Sequence, residues 1–285
     1  MTWLILSLAT AFSLSTADAL TKRALAGTDE LVVAWVREGY SLPFLVLPLF
    51  FIPIPQLDRT FWLTLAALLP LETAALVLYV RAIRVSPLSL SIPFLALSPV
   101  FIIIIAFLLL GERPSAIGIA GIALIAGGAY TLNASASKEG LTGPIRAIAR
   151  EPGSVLMIIV ALIYSVTSTL GKIAVLHSGP VFFGFFYPFI LTVLLTAAVA
   201  SRGKMRLVAS RPRTFLSIGL FTAAMIITHF IAISLTQVAY MISVKRTSLI
   251  FSVIYGRVLF GEENVTERLA GSVIMAAGVA LIALG

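Results

Sequence analysis

The sequence predicts an all-α integral membrane protein in which ten transmembrane helices form two inverted repeats of five helices each. Hydrophobic residues make up 60% of the chain and charged residues only 11%, whereas a soluble domain carries about 25% charge. The mean hydropathy is +1.08, and apolar runs able to span about 30 Å of hydrocarbon recur along the sequence. The two halves of the chain also match at a constant offset.

The apolar runs are each about 20 residues long, the length that a membrane-spanning helix needs. The first has no Lys or Arg before it and has a counterpart in the second half, so we predict a retained helix and not a cleaved signal peptide. The ten predicted helices cover residues 3–21, 31–52, 61–80, 86–110, 114–132, 153–172, 180–200, 214–233, 236–259 and 266–284.

The internal repeat aligns without a gap at an offset of 150 residues. Because each repeat holds an odd number of helices, the second must enter the membrane upside down, which is a signature of transporters. We assign residues 1–132 to the first repeat, 133–152 to a polar linker and 153–285 to the second repeat. The matched residues include Ser15 and Ser165, Lys22 and Lys172, Gly111-Glu112 and Gly261-Glu262, Gly121 and Gly271, and Gly128 and Gly278.

Charged residues within the apolar runs mark a candidate site. A charge at the bilayer centre costs about 2.5–3.5 kcal/mol on insertion scales, so it is retained only with compensation. The adjacent pair Lys245-Arg246 in the ninth segment predicts the anion-binding end of a transport site; an internal ion pair that stabilises the bundle is the alternative. The predicted substrate-binding residues are Lys245, Arg246, Arg37, Tyr40 and Tyr240, and the predicted coupling or counter-ion residues are Glu72, Glu38 and Asp18.

The expected partners of the buried acids differ. Asp18 and Lys22 are one helical turn apart, so an intrahelical pair is the simplest expectation for Asp18. Arg37 and Glu38 are neighbours in sequence and point in different directions, so each needs its own partner. Glu72 is expected either to pair with Arg81 or Arg37 or to carry a proton.

The block Leu110-Gly111-Glu112 followed by Gly121 and Gly128, with its repeat after Phe260, resembles the hallmark of EamA-type proteins in the drug/metabolite transporter superfamily. The resemblance covers the whole chain, although Phe12-Ser13 replaces the usual Trp-Gly or Trp-Ser of the first helix. It implies ten helices and a transport function. Small residues at helical spacing predict close helix packing, and Glu112 and Glu262 are expected to cap the fifth or tenth helix.

The ninth segment resembles the phosphate-binding helix of triose-phosphate/phosphate translocators, which use a Lys-Arg pair to hold the phosphate of their substrates. Those proteins also carry a Lys in the fourth helix, where this sequence has Leu95. The missing cation argues against doubly phosphorylated or strongly anionic substrates.

The distribution of Lys and Arg predicts a cytoplasmic linker and external termini, whereas the resemblance implies the reverse orientation. One face receives most of these residues, including those of the linker and of the loop 201–213, and the other receives only Arg59, Arg113 and Lys172. We expect a bacterial plasma (inner) membrane protein that contacts the lipid bilayer as a monomer or weak homodimer.

Composition also limits the functional classes. The chain has no cysteine and two distant histidines, and its net charge of +8 follows the membrane topology, so we expect no metal, no cofactor and no nucleic-acid partner. It has no P-loop and no nucleophile–base motif, so we do not expect an enzyme. We expect a secondary transporter that moves a small organic anion or zwitterion, including phosphorylated compounds, by alternating access. The alternatives are an amino-acid or metabolite exporter of the same superfamily and a lipid-carrier flippase.

Overall fold

A computed structural model describes residues 1–111, 113–131, 150–262 and 265–284, and within these ranges the chain is helical. The linker predicted at 133–152 and Glu112 therefore lie largely or wholly outside the described residues. The principal helices are α1 (Thr2–Leu25), α2 (Glu30–Gly39), α3 (Arg59–Val85), α4 (Ser98–Leu110), α5 (Ala116–Thr131), α6 (Pro152–Leu176), α7 (Pro180–Ser201), α8 (Pro212–Ser234), α9a (Val238–Lys245), α9b (Ser248–Phe260) and α10 (Val265–Leu284).

Seven stretches in the described ranges are long and apolar enough to cross a membrane. They are α1, α3, α6, α7 and α8, together with Glu30–Phe51 and Val238–Phe260. The remaining apolar helices are shorter and cover Phe101–Leu110, Ala116–Gly128 and Arg268–Leu281. Length and composition thus support seven membrane spans directly.

Carboxylates outside the apolar runs fix where several helices begin. Asp29 accepts a hydrogen bond from the Leu31 N–H at 3.0 Å and caps α2, and Asp58 accepts one from the Phe61 N–H at 2.8 Å and caps α3. The Phe61 N–H holds the pKa of the Asp58 carboxyl below its usual value because it stabilises the charged form. Acidic caps at these positions satisfy backbone donors that the first helical turn leaves free.

Three predicted single helices are interrupted in the structure. The second segment continues after α2 as the short helices Leu42–Leu45 and Leu47–Phe51. The fourth begins with Leu88–Ser91 and the 3₁₀ helix Ile92–Leu97 before α4. Prolines explain these two interruptions, because Pro43, Pro48 and Pro93 cannot donate a backbone hydrogen bond.

The ninth segment is interrupted without a proline. Helix α9a ends at Lys245 and α9b begins at Ser248. The Thr247 hydroxyl donates to the carbonyl of Val244 at 2.7 Å, which offers the backbone a partner other than the regular helical N–H. The interrupted fourth and ninth segments are counterparts at the 150-residue offset.

The two halves of the chain pack through equivalent pairs of helices. Helix α1 packs against α8 and α9b, and its counterpart α6 packs against α3 and α4. Helices α5 and α10, which are also counterparts, pack against each other. The first helix of each half is therefore held mainly by the other half.

The repeated glycines permit the close packing that the sequence predicts. A Cβ atom added at Gly128 would lie 2.6 Å from the carbonyl oxygen of Gly271, and one at Gly278 would lie 2.6 Å from that of Gly121. Such distances are too short for any side chain, so only glycine allows α5 and α10 to approach this closely. The predicted role of these small residues is confirmed.

Glu262 caps the fourth segment, whereas we expected a cap on the helix that follows it. Its two carboxylate oxygens accept hydrogen bonds from the backbone N–H groups of Leu88 and Ser89, each at 3.1 Å. Gly261, in the left-handed conformation with φ of 65°, ends α9b and turns the chain so that Glu262 follows it directly. The Gly261-Glu262 motif of the second half thus contacts a helix of the first half and joins the two.

Candidate functional site

A cavity lies where α2, α3, α6, α7, α8 and α9a meet, next to the interruption in the ninth segment. Leu14 of α1 and Leu95 of the fourth segment complete its wall, so both repeats contribute to it. The polar residues that line it are Arg37, Glu38, Glu72, Tyr79, Tyr164, Thr167, Ser168, Tyr187, His229, Lys245 and Arg246. Five of the eight predicted site residues are therefore brought together.

Asp18 lies behind the cavity wall and forms an ion pair with Arg37. Asp18 Oδ1 accepts from Arg37 Nη1 at 2.8 Å, and Oδ2 accepts from the Tyr79 hydroxyl at 2.5 Å. Asp18 is 1% exposed and Arg37 3%. The charge of Arg37 is thus balanced within the protein before any ligand binds.

The expected pair between Asp18 and Lys22 is wrong. The Lys22 ammonium donates instead to the carbonyl oxygens of Ile83, at 3.1 Å, and Ser86 at the end of α3. The Arg37 guanidinium reaches the Asp18 carboxylate from the neighbouring helix α2, whereas the Lys22 ammonium is directed towards the end of α3. The matching Lys172 donates to the carbonyl oxygen of Thr236 at the end of α8, at 2.8 Å.

Lys245 and Arg246 lie at the end of α9a and line the cavity. Arg246 is 3% exposed, and its Nε and Nη2 donate to the Ser98 hydroxyl at 2.9 and 2.7 Å. Lys245 Nζ lies 3.4 Å from Nδ1 of His229. Within the described ranges, no carboxylate forms an ion pair with either cation.

The two cations lie between the C-terminus of α9a, whose dipole favours a cation by roughly 0.3–1 kcal/mol, and the N-terminus of α9b at Ser248, whose dipole opposes one. That gain is smaller than the cost of about 2.5–3.5 kcal/mol for one charge at the bilayer centre. Two adjacent cations therefore need further compensation, and the carboxylates of Glu38 and Glu72 line the same cavity.

Two carboxylates face the same cavity. Glu38 is 7% exposed, and its Oε2 has no hydrogen-bond partner in the described part of the chain. Glu72 faces the hydroxyls of Thr167 and Tyr187. No ion pair joins Glu72 to Arg37 or Arg81 among the described residues, since Arg37 is engaged by Asp18.

Tyr40 and Tyr240, both predicted to bind substrate, lie outside the cavity lining. The Tyr40 hydroxyl donates to the carbonyl oxygen of Val208 at 2.8 Å, which ties the second segment to the loop between α7 and α8. The Tyr240 hydroxyl accepts from the Ser115 N–H at 2.7 Å and so caps the start of α5. Nearness to Arg37 and to the Lys245-Arg246 pair along the chain was not enough to place these rings in the cavity, because both segments are interrupted nearby.

The sequence did not predict the contact between Ser98 and Arg246. It is fully buried and fixes the orientation of the Arg246 guanidinium from the first turn of α4. Its counterpart at the 150-residue offset is Ser248, the first residue of α9b. The match between Ser98 and Ser248 in the repeat was the feature of the sequence that could have marked Ser98 as part of the site.

Comparison with protein-family models matches residues 1–134 and 151–284 to the EamA-like transporter family, which is nearly the whole chain in two consecutive repeats. The chain belongs to the EamA-like transporter family. No curated protein is similar enough in sequence to this EamA-like transporter to match it.

Among solved structures, one described as "Crystal structure of protein" superposes on this EamA-like transporter with a TM-score of 0.74. The superposition covers 99% of this chain and 96% of the other, at 15% sequence identity. At this identity the likeness shows the fold alone. Family membership and the apolar helices together establish an integral membrane transporter.

Proposed function

We propose that this EamA-like transporter is a secondary transporter that moves a small organic anion or zwitterion by alternating access. The observation that carries the proposal is that Lys245 and Arg246 line a buried cavity and form no ion pair with a carboxylate in the described part of the chain. A buried charge without a partner is costly in a membrane protein and by default indicates function. A carboxylate or phosphate group of a substrate would supply the missing partner.

The geometry of the two cations suits recognition of an anion. Ser98 occupies Nε and Nη2 of Arg246 and so holds the guanidinium in one orientation, whereas Nη1 has no hydrogen-bond partner among the described residues. Lys245 supplies a point charge beside it, whereas the guanidinium is a planar fork.

The interruptions in the fourth and ninth segments support alternating access. Discontinuous helices next to a central site are typical of secondary transporters, where two related repeats rock against each other. Arg246 and Ser98 join these two segments across the site. Binding of an anion to Arg246 would therefore act directly on the contact between the moving parts.

We also propose that all ten segments cross the membrane and that the repeats, residues 1–132 and 153–285, are inverted. Contacts between helix ends support this. Lys22 at the end of α1 contacts the end of α3, and Ser86 there also contacts Glu151 at the start of α6. The end of α1 and the start of α6 therefore share one side of the bundle. We place the protein in a bacterial plasma (inner) membrane.

The proposal is tested by uptake into proteoliposomes that contain the purified protein. The probes are radiolabelled carboxylates, phosphorylated metabolites, zwitterionic amino acids and organic cations without an acidic group. We expect accumulation or counterflow of at least one compound that carries a carboxylate or phosphate. Transport restricted to cations that lack an anionic group would contradict the proposal, since Lys245 and Arg246 would repel them.

A further inference from the structure

We infer that the side of the bundle where α1 ends and α8 begins carries a binding site for an anionic phospholipid. Arg23 in the last turn of α1 and Arg211 at the start of α8 hold the phosphodiester of its head group, and the exposed apolar face of α1 receives its acyl chains. Because α1 belongs to the first repeat and α8 to the second, one lipid contacts both halves of the transporter.

Two contacts show that α1 and α8 run antiparallel. The hydroxyls of Thr10 and Thr228 lie 2.8 Å apart. At the other end of the pair, Cζ of Arg211 lies 3.2 Å from the position of a Cβ atom added at Gly27, just after α1. Along the chain, Thr10 is as far from Gly27 as Thr228 is from Arg211, so the start of α8 meets the end of α1.

Two exposed arginines share this end of the helix pair. The Gly27 N–H donates to the carbonyl of Ala24 at 3.2 Å, so the last turn of α1 continues through Gly27. Arg23 precedes Gly27 by about one turn, and residues one turn apart lie on the same face. Arg23 therefore lies on the side where the Arg211 guanidinium contacts Gly27. Both arginine side chains are exposed.

The acids at the start of α2, which follow Gly27 in the chain, are already paired. Asp29 accepts from Lys204 at 2.6 Å, and Glu30 contacts Arg84 at 3.5 Å. The two arginines therefore have no protein counter-charge among the described residues. An anion from outside the protein supplies it.

An apolar surface extends from the two arginines towards the middle of the bundle. Phe12 lies on the same face of α1 as Arg23, about three turns or about 16 Å away. Half the hydrocarbon thickness of a bilayer is about 15 Å. The Phe12 ring is exposed and lies 6.5 Å from Phe221, and Leu216 and Leu220 of α8 are also exposed. An acyl chain that descends from a head group at the arginines therefore meets this surface.

The combination of cations and apolar surface selects the class of ligand. A guanidinium binds phosphate through paired hydrogen bonds. Each Lys or Arg near a membrane surface favours an anionic lipid by about fivefold. A zwitterionic phospholipid has the same phosphate but brings its own cation, and a soluble phosphate ester has no chain to lie on α1. An anionic phospholipid fits both parts of the site.

The test measures lipid binding to the purified protein in a nonionic detergent by native mass spectrometry. The probes are phosphatidylglycerol and phosphatidylcholine with identical acyl chains, and glycerol 3-phosphate as the soluble head group. We expect phosphatidylglycerol to bind about fivefold or more tightly than phosphatidylcholine. Glycerol 3-phosphate at the same concentration should not displace it.

The double variant Arg23→Gln, Arg211→Gln should lose this preference for phosphatidylglycerol. The matched control is Arg202→Gln, Arg206→Gln, which removes two exposed cations from the connection between α7 and α8. That connection lies on the same side of the bundle, because an ion pair joins it to the start of α2. The control should keep the preference.

Equal binding of the two lipids to the wild type would overturn the inference. So would displacement of phosphatidylglycerol by glycerol 3-phosphate, which would assign the arginines to a soluble phosphate. An equal loss of preference in both double variants would show that the basic side attracts anionic lipids as a whole and holds no discrete site. If the first double variant does not fold, the single variants Arg23→Gln and Arg211→Gln, compared with Arg202→Gln, decide in the same way.

Discussion

Buried charges in this transporter fall into two groups at the level of single residues. Arg37 is balanced by Asp18, and the hydroxyls of Tyr79 and Thr21 add hydrogen bonds to the pair. Lys245 and Arg246 have hydroxyl and imidazole neighbours but no ion-pair partner among the described residues. The first group stabilises the fold, and we assign the second to the substrate.

Replacing Asp18 with Asn tests the stabilising group. The substitution leaves the Arg37 charge buried without a counter-charge, and removing one partner of a buried pair costs about 3–5 kcal/mol. We expect a large fall in the melting temperature of the purified protein in detergent. Asp29→Asn is the control, because the pair of Asp29 with Lys204 is partly exposed and contributes only about 0–1 kcal/mol, and Asn still caps a helix. Similar losses in both variants would contradict the assignment.

The sequence predicted the charged part of the site because charge in an apolar run is costly wherever it lies. This reasoning found Arg37, Glu38, Glu72, Lys245 and Arg246, all of which line the cavity. The prediction that Tyr40 and Tyr240 also line the cavity was wrong. A tyrosine in a membrane helix has many acceptable partners, so its position depends on tertiary contacts that a single sequence does not contain.

At the level of elements, glycines determine how α5 and α10 pack. Gly128→Ala would place a Cβ 2.6 Å from the backbone oxygen of Gly271. Overpacking of this kind costs about 1–3 kcal/mol, so we expect a lower melting temperature and lower yield. The adjacent Gly127 has no atom within 4 Å of an added Cβ, so Gly127→Ala should not destabilise the protein.

The melting temperatures of Gly128→Ala and Gly127→Ala, measured side by side in detergent, test whether α5 and α10 are in close contact. Equal stability of Gly128→Ala and the wild type would show that α5 and α10 are not in close contact. The contrast between neighbouring glycines controls for helix propensity, because both substitutions replace Gly with Ala in the same helix.

The helix interruptions were only partly predictable. Pro93 and Pro48 mark the breaks in the fourth and second segments, because proline removes a backbone donor. The ninth segment has no proline between Val238 and Phe260, and its apolar run predicts a continuous helix. Its break next to Lys245 and Arg246 depends on local hydroxyl contacts and on packing around the cavity, which hydropathy does not report.

At the level of the whole molecule, contacts at helix ends define two sides of the bundle. On one side, near the end of α1, hydrogen bonds link Ser86 to both Lys22 and Glu151. Lys172 contacts Thr236 on the side where α6 ends. The odd number of segments per repeat predicts an inverted repeat, and these contacts at the helix ends agree with that prediction.

Inverted repeats place equivalent loops on opposite faces of the membrane. Gln56 and Arg206 are equivalent at the 150-residue offset, and both are exposed in the connections between principal helices. The chain has no cysteine, so Gln56→Cys and Arg206→Cys variants each carry a single reactive thiol. We expect a membrane-impermeant maleimide to label one variant only from outside intact cells and the other only from the cytoplasmic side.

Labelling is read in intact cells and in inverted vesicles, and the variant accessible from outside also gives the orientation. Labelling of both positions from the same side would contradict the inverted repeat. Positive charges in the loop 201–213 predict that Arg206→Cys is the cytoplasmic one.

The central claim, that Lys245 and Arg246 bind the anionic group of the substrate, is tested most directly with the double variant Lys245→Ala, Arg246→Ala. The measurement pairs uptake into proteoliposomes, for a compound that the wild type transports, with the melting temperature in detergent. The control is Arg206→Ala, Arg213→Ala, which removes two exposed charges, one between α7 and α8 and one in the first turn of α8. We expect the double variant to fold with an unchanged or higher melting temperature and to lose transport, while the control retains it. Normal uptake by a well-folded double variant would contradict the claim.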